Sequence, residues 1–402
     1  MYGTLSAFSI SINDLSGFNI FKMILEKVNN NDVNKTNPVV VITAFFWLIA
    51  KLISYKLWTS NRLFPLAPAF EFLNDLPLWY HLLFYYISIC CLVVSMLRPA
   101  IIVVFILFLS ELFSCMADQN RWQPWEYQYL FIILMLLLNR KHLNYFIPAV
   151  GVIIISIYFY SGISKLNNGF LQSSWSNLLL QRFFGITNVT SINSPVLYYL
   201  GYGIGGVEIA CAVGLIFKKS KKIAAGILIG VHCFNLLLLG PLGVSYNKIV
   251  WPWNFAMIGY LYFIFLQFHK SYDLVYPLKK GWNKLVVICW GILPMLYYFN
   301  CWDTYLSSVL YSGNIKEMII CVKNSNDAGA KELAPYYANE NRKFCEGDKM
   351  IMVTKWALDE MNVPMYPEKR IYLQIKKSFN QKYPTTASQF FILYRHKKEE
   401  LK

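Results

Sequence analysis

Four places in this 402-residue chain set an ionisable or amide side chain among apolar neighbours. The first is Lys165, in the stretch YFYSGISKLNNGF that closes a long apolar run at residues 158–170. A lysine there either anchors in lipid headgroups by its long stem, or is an amine held out of bulk water and able to accept a proton. Ser161 and Gly162, one turn earlier, favour close helix packing over an anchor facing lipid. The second is Glu208, in GYGIGGVEIACAVGL, where the glycines at 201, 203, 205 and 206 make a smooth face for another helix. A glutamate at that depth serves as polar glue between helices, or holds a proton or pairs with a cation. The third is His232 with Asn235, spaced i, i+3 on one helix face in GVHCFNLLLLG. One histidine without a second ligand does not make a metal site, and none is expected. The fourth is ADQNRWQPWEYQY, with Asp118 and Arg121, which together with WPWN at 251–254 and its Trp253 suits either an interfacial aromatic belt or the mouth of a cavity.

The elements that must position these groups follow from composition. Hydrophobic residues make up 56% of the chain and charged residues 15%, with a mean hydropathy of +0.39. The apolar residues fall in blocks of about 20, the length that crosses a bilayer as helix. The expected spans are 38–58, 78–97, 99–117, 127–139, 143–161, 196–217, 222–240, 253–269 and 284–301, about nine, preceded by a polar cytoplasmic segment at 1–37. The fold class is therefore an all-α polytopic membrane helical bundle. The net charge of +15 sits largely in short loops, which argues for topology and against nucleic acid.

Loop charge sets the expected orientation. Arg98, Arg140, Lys141, Lys218, Lys219, Lys221, Lys222, Lys270, Lys279, Lys280 and Lys284 fall on one side, which is then cytoplasmic. Lys56, Arg62, Arg121, Lys165, Arg182 and Lys248 are spread over the longer loops of the other. After residue 301 the composition becomes soluble in character. Short β-rich runs (MIICV, MIMVT, QFFILY) alternate with helical patterns at 355–362 and 368–382, so 302–402 reads as a small C-terminal α+β extramembrane domain on the outer face. An oxidising outer face would allow Cys321 and Cys345 to pair.

At these residues the chain resembles a known family. YFYSGISKLNNGF is similar to the Gly-x-x-Lys-Leu-Asp/Asn stretch of the membrane domain of vitamin K-dependent γ-carboxylases. That domain belongs to the HTTM group, related to DoxX/MauE-like bacterial membrane proteins. The likeness extends through PVLYYLGYGIGGVEIACAVGLIF and VHCFN, over roughly residues 40–300. It implies Lys165 as a base acting with a reduced quinone, and it keeps the His232 and Asn235 element; with Glu208, Asp118, Arg121 and Trp253 from the reading above, these are the candidate binding residues. Two departures matter. The carboxylases have a Lys-Lys pair where this chain has Ser164-Lys165, and an Asn-His-x-Tyr segment where it has Glu126-Tyr127-Gln128-Tyr129. They point to an altered reaction on a quinone-type cofactor, or to a non-catalytic scaffold for a secreted or periplasmic redox partner held through 302–402. The location implied is a bacterial cell membrane.

Overall fold

The structure is a computed structural model that describes residues 30–267, 273–279, 281–323, 327–338, 344–394 and 397–401. Positions 1–29 of the polar N-terminal segment, and Lys270 and Lys280 of the orientation signal, lie outside the described residues.

The bundle is built from α1 (Asn30–Ile53), α2 (Leu78–Leu97), α3 (Ile101–Ala117), α4 (Pro124–Leu138), α5 (Phe146–Ser164), α6 (Leu171–Phe183), α7 (Tyr202–Ile216), α8 (Lys221–Leu239), α9 (Val250–Tyr260, continued to 267) and α10 (Gly281–Phe299). Five helical stretches are long and apolar enough to cross a membrane: Leu78–Leu97, Leu143–Ser164, Pro195–Ile216, Lys221–Leu239 and Gly281–Phe299. Pro38–Ile53, Ile101–Ala117 and Pro124–Leu138 are apolar but shorter. Fifteen residues of α4 rise about 22 Å, short of a hydrocarbon core of roughly 30 Å, and most of that helix is buried in protein. The expectation of nine full-length spans is thus met in length by five helices among the described residues.

The helix α5 is the axis. Phe146, Ala149, Val150, Ile153 and Ile154 are fully enclosed, as suits a helix apolar on every side. It crosses α7 backbone to backbone at Gly162 and Gly205. A methyl group at either glycine would lie 2.7 Å from the carbonyl oxygen of the other, so no larger residue fits without parting the helices. Lys165 and Glu208 each stand three residues beyond their crossing glycine, and the crossing brings them face to face.

The C-terminal unit is a four-stranded antiparallel sheet ordered β2-β1-β3-β4, with β1 Glu317–Val322, β2 Lys349–Met352, β3 Ser388–Tyr394 and β4 Lys397–Glu400. Helices α11 (Val353–Met361) and α12 (Lys369–Lys382) bury Trp356, Ile371, Tyr372, Ile375 and Phe379 together with Ile320, Val322 and Phe390. The other face of β1 carries Ile319 and Cys321, the latter joined to Cys345 by a disulfide with Cα atoms 5.5 Å apart.

This unit sits firmly on one end of the bundle. Glu360 accepts from the backbone N–H groups of Leu63 and Phe64, Asn362 donates to the carbonyl of Ile53 at 2.9 Å, and Gln123 donates to that of Pro364 at 2.9 Å. At the far rim Gly313 lies against Gly169, and Asn247 donates to Tyr311 Oη at 3.0 Å. The loops carrying Arg62, Arg121, Lys165 and Lys248 therefore share the end covered by residues 302–402.

Candidate functional site

A cavity of about 740 Å³ opens beside α5, walled by α6, α7, α8 and α9. Its lining is mainly apolar, with Ile157, Phe170, Leu178, Val231 and Met257 among its walls. Five of the sequence-derived candidates meet in it: Lys165, Glu208, His232, Asn235 and Trp253.

Lys165 ends α5 and is not a headgroup anchor. Its Nζ lies 2.6 Å from Glu208 Oε2 and 2.5 Å from Ser161 Oγ, with Ser161 O farther off at 3.4 Å. Both residues of the pair are buried, at 9% and 7% exposure. An ammonium has three hydrogens, and two are spent on short contacts. The third is held weakly, on the side of the cavity.

His232 is fixed by a different partner from the one its spacing implies. The i, i+3 pattern pairs it with Asn235. In the structure Nδ1 lies 2.7 Å from Asn254 Oδ1 on α9, and Nε2 lies 2.6 Å from Tyr158 Oη on α5. Asn254 donates its own Nδ2 to the carbonyl of Val250 at 2.7 Å, which turns its oxygen toward the ring. The imidazole must then carry its hydrogen on Nδ1 and accept the Tyr158 hydroxyl hydrogen at Nε2. The side chain of Asn235 lines the same cavity and makes no hydrogen bond among the described residues, so its amide is free to meet a ligand.

Trp253 donates its indole N–H to Gln128 Oε1 at 2.6 Å, which fixes its ring as part of the wall. Leu310 and Tyr311 from the C-terminal segment line the cavity as well, with Tyr311 O accepting from Ser174 Oγ at 2.6 Å. A smaller cavity of about 140 Å³ adjoins it there and shares Val250, Trp253, Leu310 and Tyr311.

Asp118 and Arg121 are not brought to the cavity. Asp118 accepts from Arg62 and Asn120, and Arg121 donates to the carbonyls of Leu57, Trp58 and Ser114 while touching His81 Nδ1 at 3.1 Å. Both are fully buried and tie the loop after α3 to the end of α1 under the C-terminal unit. Burial alone pushes the Asp118 carboxyl up, but the Arg62 and Arg121 guanidiniums outweigh it and hold the group below the ordinary carboxylate value. A polar loop full of tryptophan reads the same whether it frames a cavity or packs beneath a domain, and here it does both: Asp118 and Arg121 pack, while Gln123, Pro124 and Trp125 line the smaller cavity.

Tyr158 and Asn254 complete the site; sequence reasoning gave Tyr158 no role and placed Asn254 only within WPWN, at the mouth of a cavity. An interior tyrosine in an apolar run carries no signal of its own. Asn254 lies within WPWN, but only the fold shows that it faces a histidine 22 residues earlier.

No family model, no curated protein and no solved structure matches this chain.

Proposed function

We propose that the chain is an integral membrane protein that holds a lipid-soluble quinone-type ligand in the cavity between Lys165 and His232 and acts with it in a redox-linked reaction. The observation that carries this reading is the meeting of two proton-handling groups, Lys165–Glu208 and Tyr158–His232–Asn254, in one apolar cavity. A flat ring flanked by oxygens needs apolar walls and a few donors, and both are present. The third hydrogen of Lys165, held only by Ser161 O at 3.4 Å, and the amide of Asn235 are the donors left for a ligand. The outer wall is thin: Val207, Ile227 and Phe234 line the cavity and are also 42%, 46% and 37% exposed on the surface that would meet lipid. The likeness of residues 158–170 and 195–217 to the γ-carboxylase membrane domain supports the same ligand class.

A quinone, when bound, supplies a two-electron couple. The chain supplies the proton handling. Lys165 places positive charge beside a ligand oxygen, and transfer of its proton to Glu208 leaves a neutral amine able to act as base. Tyr158 takes a proton at Oη as it passes its own to His232 Nε2, and Asn254 Oδ1 steadies the imidazolium formed. Glutamate carboxylation is not the proposed reaction, since Glu126-Tyr127-Gln128-Tyr129 offers no histidine.

In this reading about nine helices, α1–α5 and α7–α10, cross the membrane, the short ones completed by their buried neighbours. The N-terminus is cytoplasmic, and the C-terminal unit stands in the oxidising compartment outside a bacterial membrane, where its disulfide persists.

The test is a titration of the purified full chain with a short-chain naphthoquinone, read by tryptophan fluorescence, and a turnover assay with the reduced form. Lys165→Ala should weaken binding about tenfold, or about 1.4 kcal/mol, and abolish turnover. Lys165→Arg should keep most of the binding yet lose turnover, because a guanidinium does not give up its proton near neutral pH. Equal binding and turnover in parent and both variants would remove the cavity from the chemistry and leave a non-catalytic scaffold that works through residues 302–402.

A further inference from the structure

A second set of ionisable side chains is sealed between α1, α2, α3 and α4, away from the cavity. Lys51 on α1 donates to Glu111 Oε2 on α3 at 2.8 Å, with neither side chain exposed. The other carboxylate oxygen of Glu111 accepts from Ser88 on α2. The ammonium also sits 3.0 Å from the centre of the Trp58 ring. Lys51 and Glu111 thus satisfy one another.

Glu126 on α4 is the surplus acid. Its Oε2 accepts from the Trp47 indole at 2.6 Å, and its Oε1 is fully buried without a donor. No ion pair reaches Glu126 among the described residues, Lys51 being taken by Glu111. Arg121 spends its guanidinium on backbone carbonyls, Ser60, Ser114 and His81. An ionised carboxylate with one indole donor and no cation is far costlier to bury than its neutral form.

We infer that Glu126 holds a proton beside the Lys51–Glu111 pair, forming a proton-binding site in the bundle that is separate from the Lys165 cavity. Glu126, Glu111 and Lys51 together then carry no net charge. This inference does not depend on what occupies the cavity. Lys51 lies two residues before Ile53, whose carbonyl accepts from Asn362, so the site is near the end on which the C-terminal unit is docked.

Infrared difference spectroscopy on the full chain at neutral pH tests it. The parent should show the C=O stretch of a buried protonated carboxylic acid, shifted by exchange into D2O. Glu126→Gln should lose that band and keep its thermal stability, because a glutamine amide, like a protonated carboxyl, places no charge there. Lys51→Met should add a second band of the same kind, as Glu111 loses its cation and takes up a proton of its own. Absence of the band in the parent, or its persistence in Glu126→Gln, overturns the inference. So does a Glu126→Gln chain that fails to fold, since glutamine and protonated glutamate have the same shape. The comparison of parent with Glu126→Gln decides the matter whether or not Lys51→Met folds.

Discussion

At the scale of single residues, burial of a charge is tolerable only where a partner waits for it, and the bundle obeys this closely. Glu208→Gln removes the partner of Lys165 and leaves a buried ammonium, so it should cost about 3 kcal/mol, read from the denaturation midpoint of the purified chain. The paired change Lys165→Met with Glu208→Leu should cost less than that single substitution, since no charge is stranded. Asp118 provides the pH-dependent counterpart. Its carboxyl is held below the ordinary value of 3.8, so its stabilisation is complete above that pH and is lost as pH falls through the lowered native value. The stability gap between parent and Asp118→Asn should therefore be constant near neutrality and shrink in acid below about pH 4. Lys165, Glu208 and His232 were legible in sequence because an ionisable residue stands out in an apolar run. Lys51 and Glu111 are just as deeply buried and also stand inside apolar runs, yet neither was given a role. Only their ion pair in the fold, between α1 and α3, shows that they belong together.

At the scale of elements, the site depends on how two helices touch. Gly162→Ala or Gly205→Ala sets a methyl against the facing backbone and should destabilise the protein by about 1–3 kcal/mol while separating Lys165 from Glu208. Gly203→Ala is the control: nothing lies within 4 Å of a methyl there, and the change should fall within about 1 kcal/mol, on the stabilising side. Both effects are read from thermal denaturation alongside quinone binding. The positions of the bundle helices were legible from apolar blocks bounded by proline and charge, and β1, β2 and β3 from short apolar and aromatic runs; β4, KKEE, carried no such signal. The cavity wall α6 was not legible either. Its sequence, LQSSWSNLLLQRF, is half polar: Leu171, Trp175, Leu179 and Leu180 are buried, Ser174 binds the Tyr311 carbonyl, and Ser173 and Asn177 face out. No simple apolar period announces such a helix.

At the scale of the whole molecule, the C-terminal unit is part of one end of the bundle. Its approach segment lines the cavity with Leu310 and Tyr311, and its helices fasten the loops after α1 and α3. The disulfide braces the sheet face away from those helices. Cys321→Ser with Cys345→Ser should lower stability by about 3 kcal/mol, with thiol labelling of the unfolded parent under non-reducing conditions confirming the bond. Sequence composition marked this unit as a separate body after residue 301. It could not reveal the docking, because Glu360, Asn362 and Gln123 are ordinary surface residues until their partners are known.

The most direct measurement is an electron-microscopy density map of the full chain in a lipid nanodisc with added naphthoquinone. The expected map has ring density in the cavity between Lys165 and Asn235, with the Lys165 ammonium on the Glu208 carboxylate. A cavity filled by acyl chains alone, with Lys165 turned out among the headgroups, would contradict it.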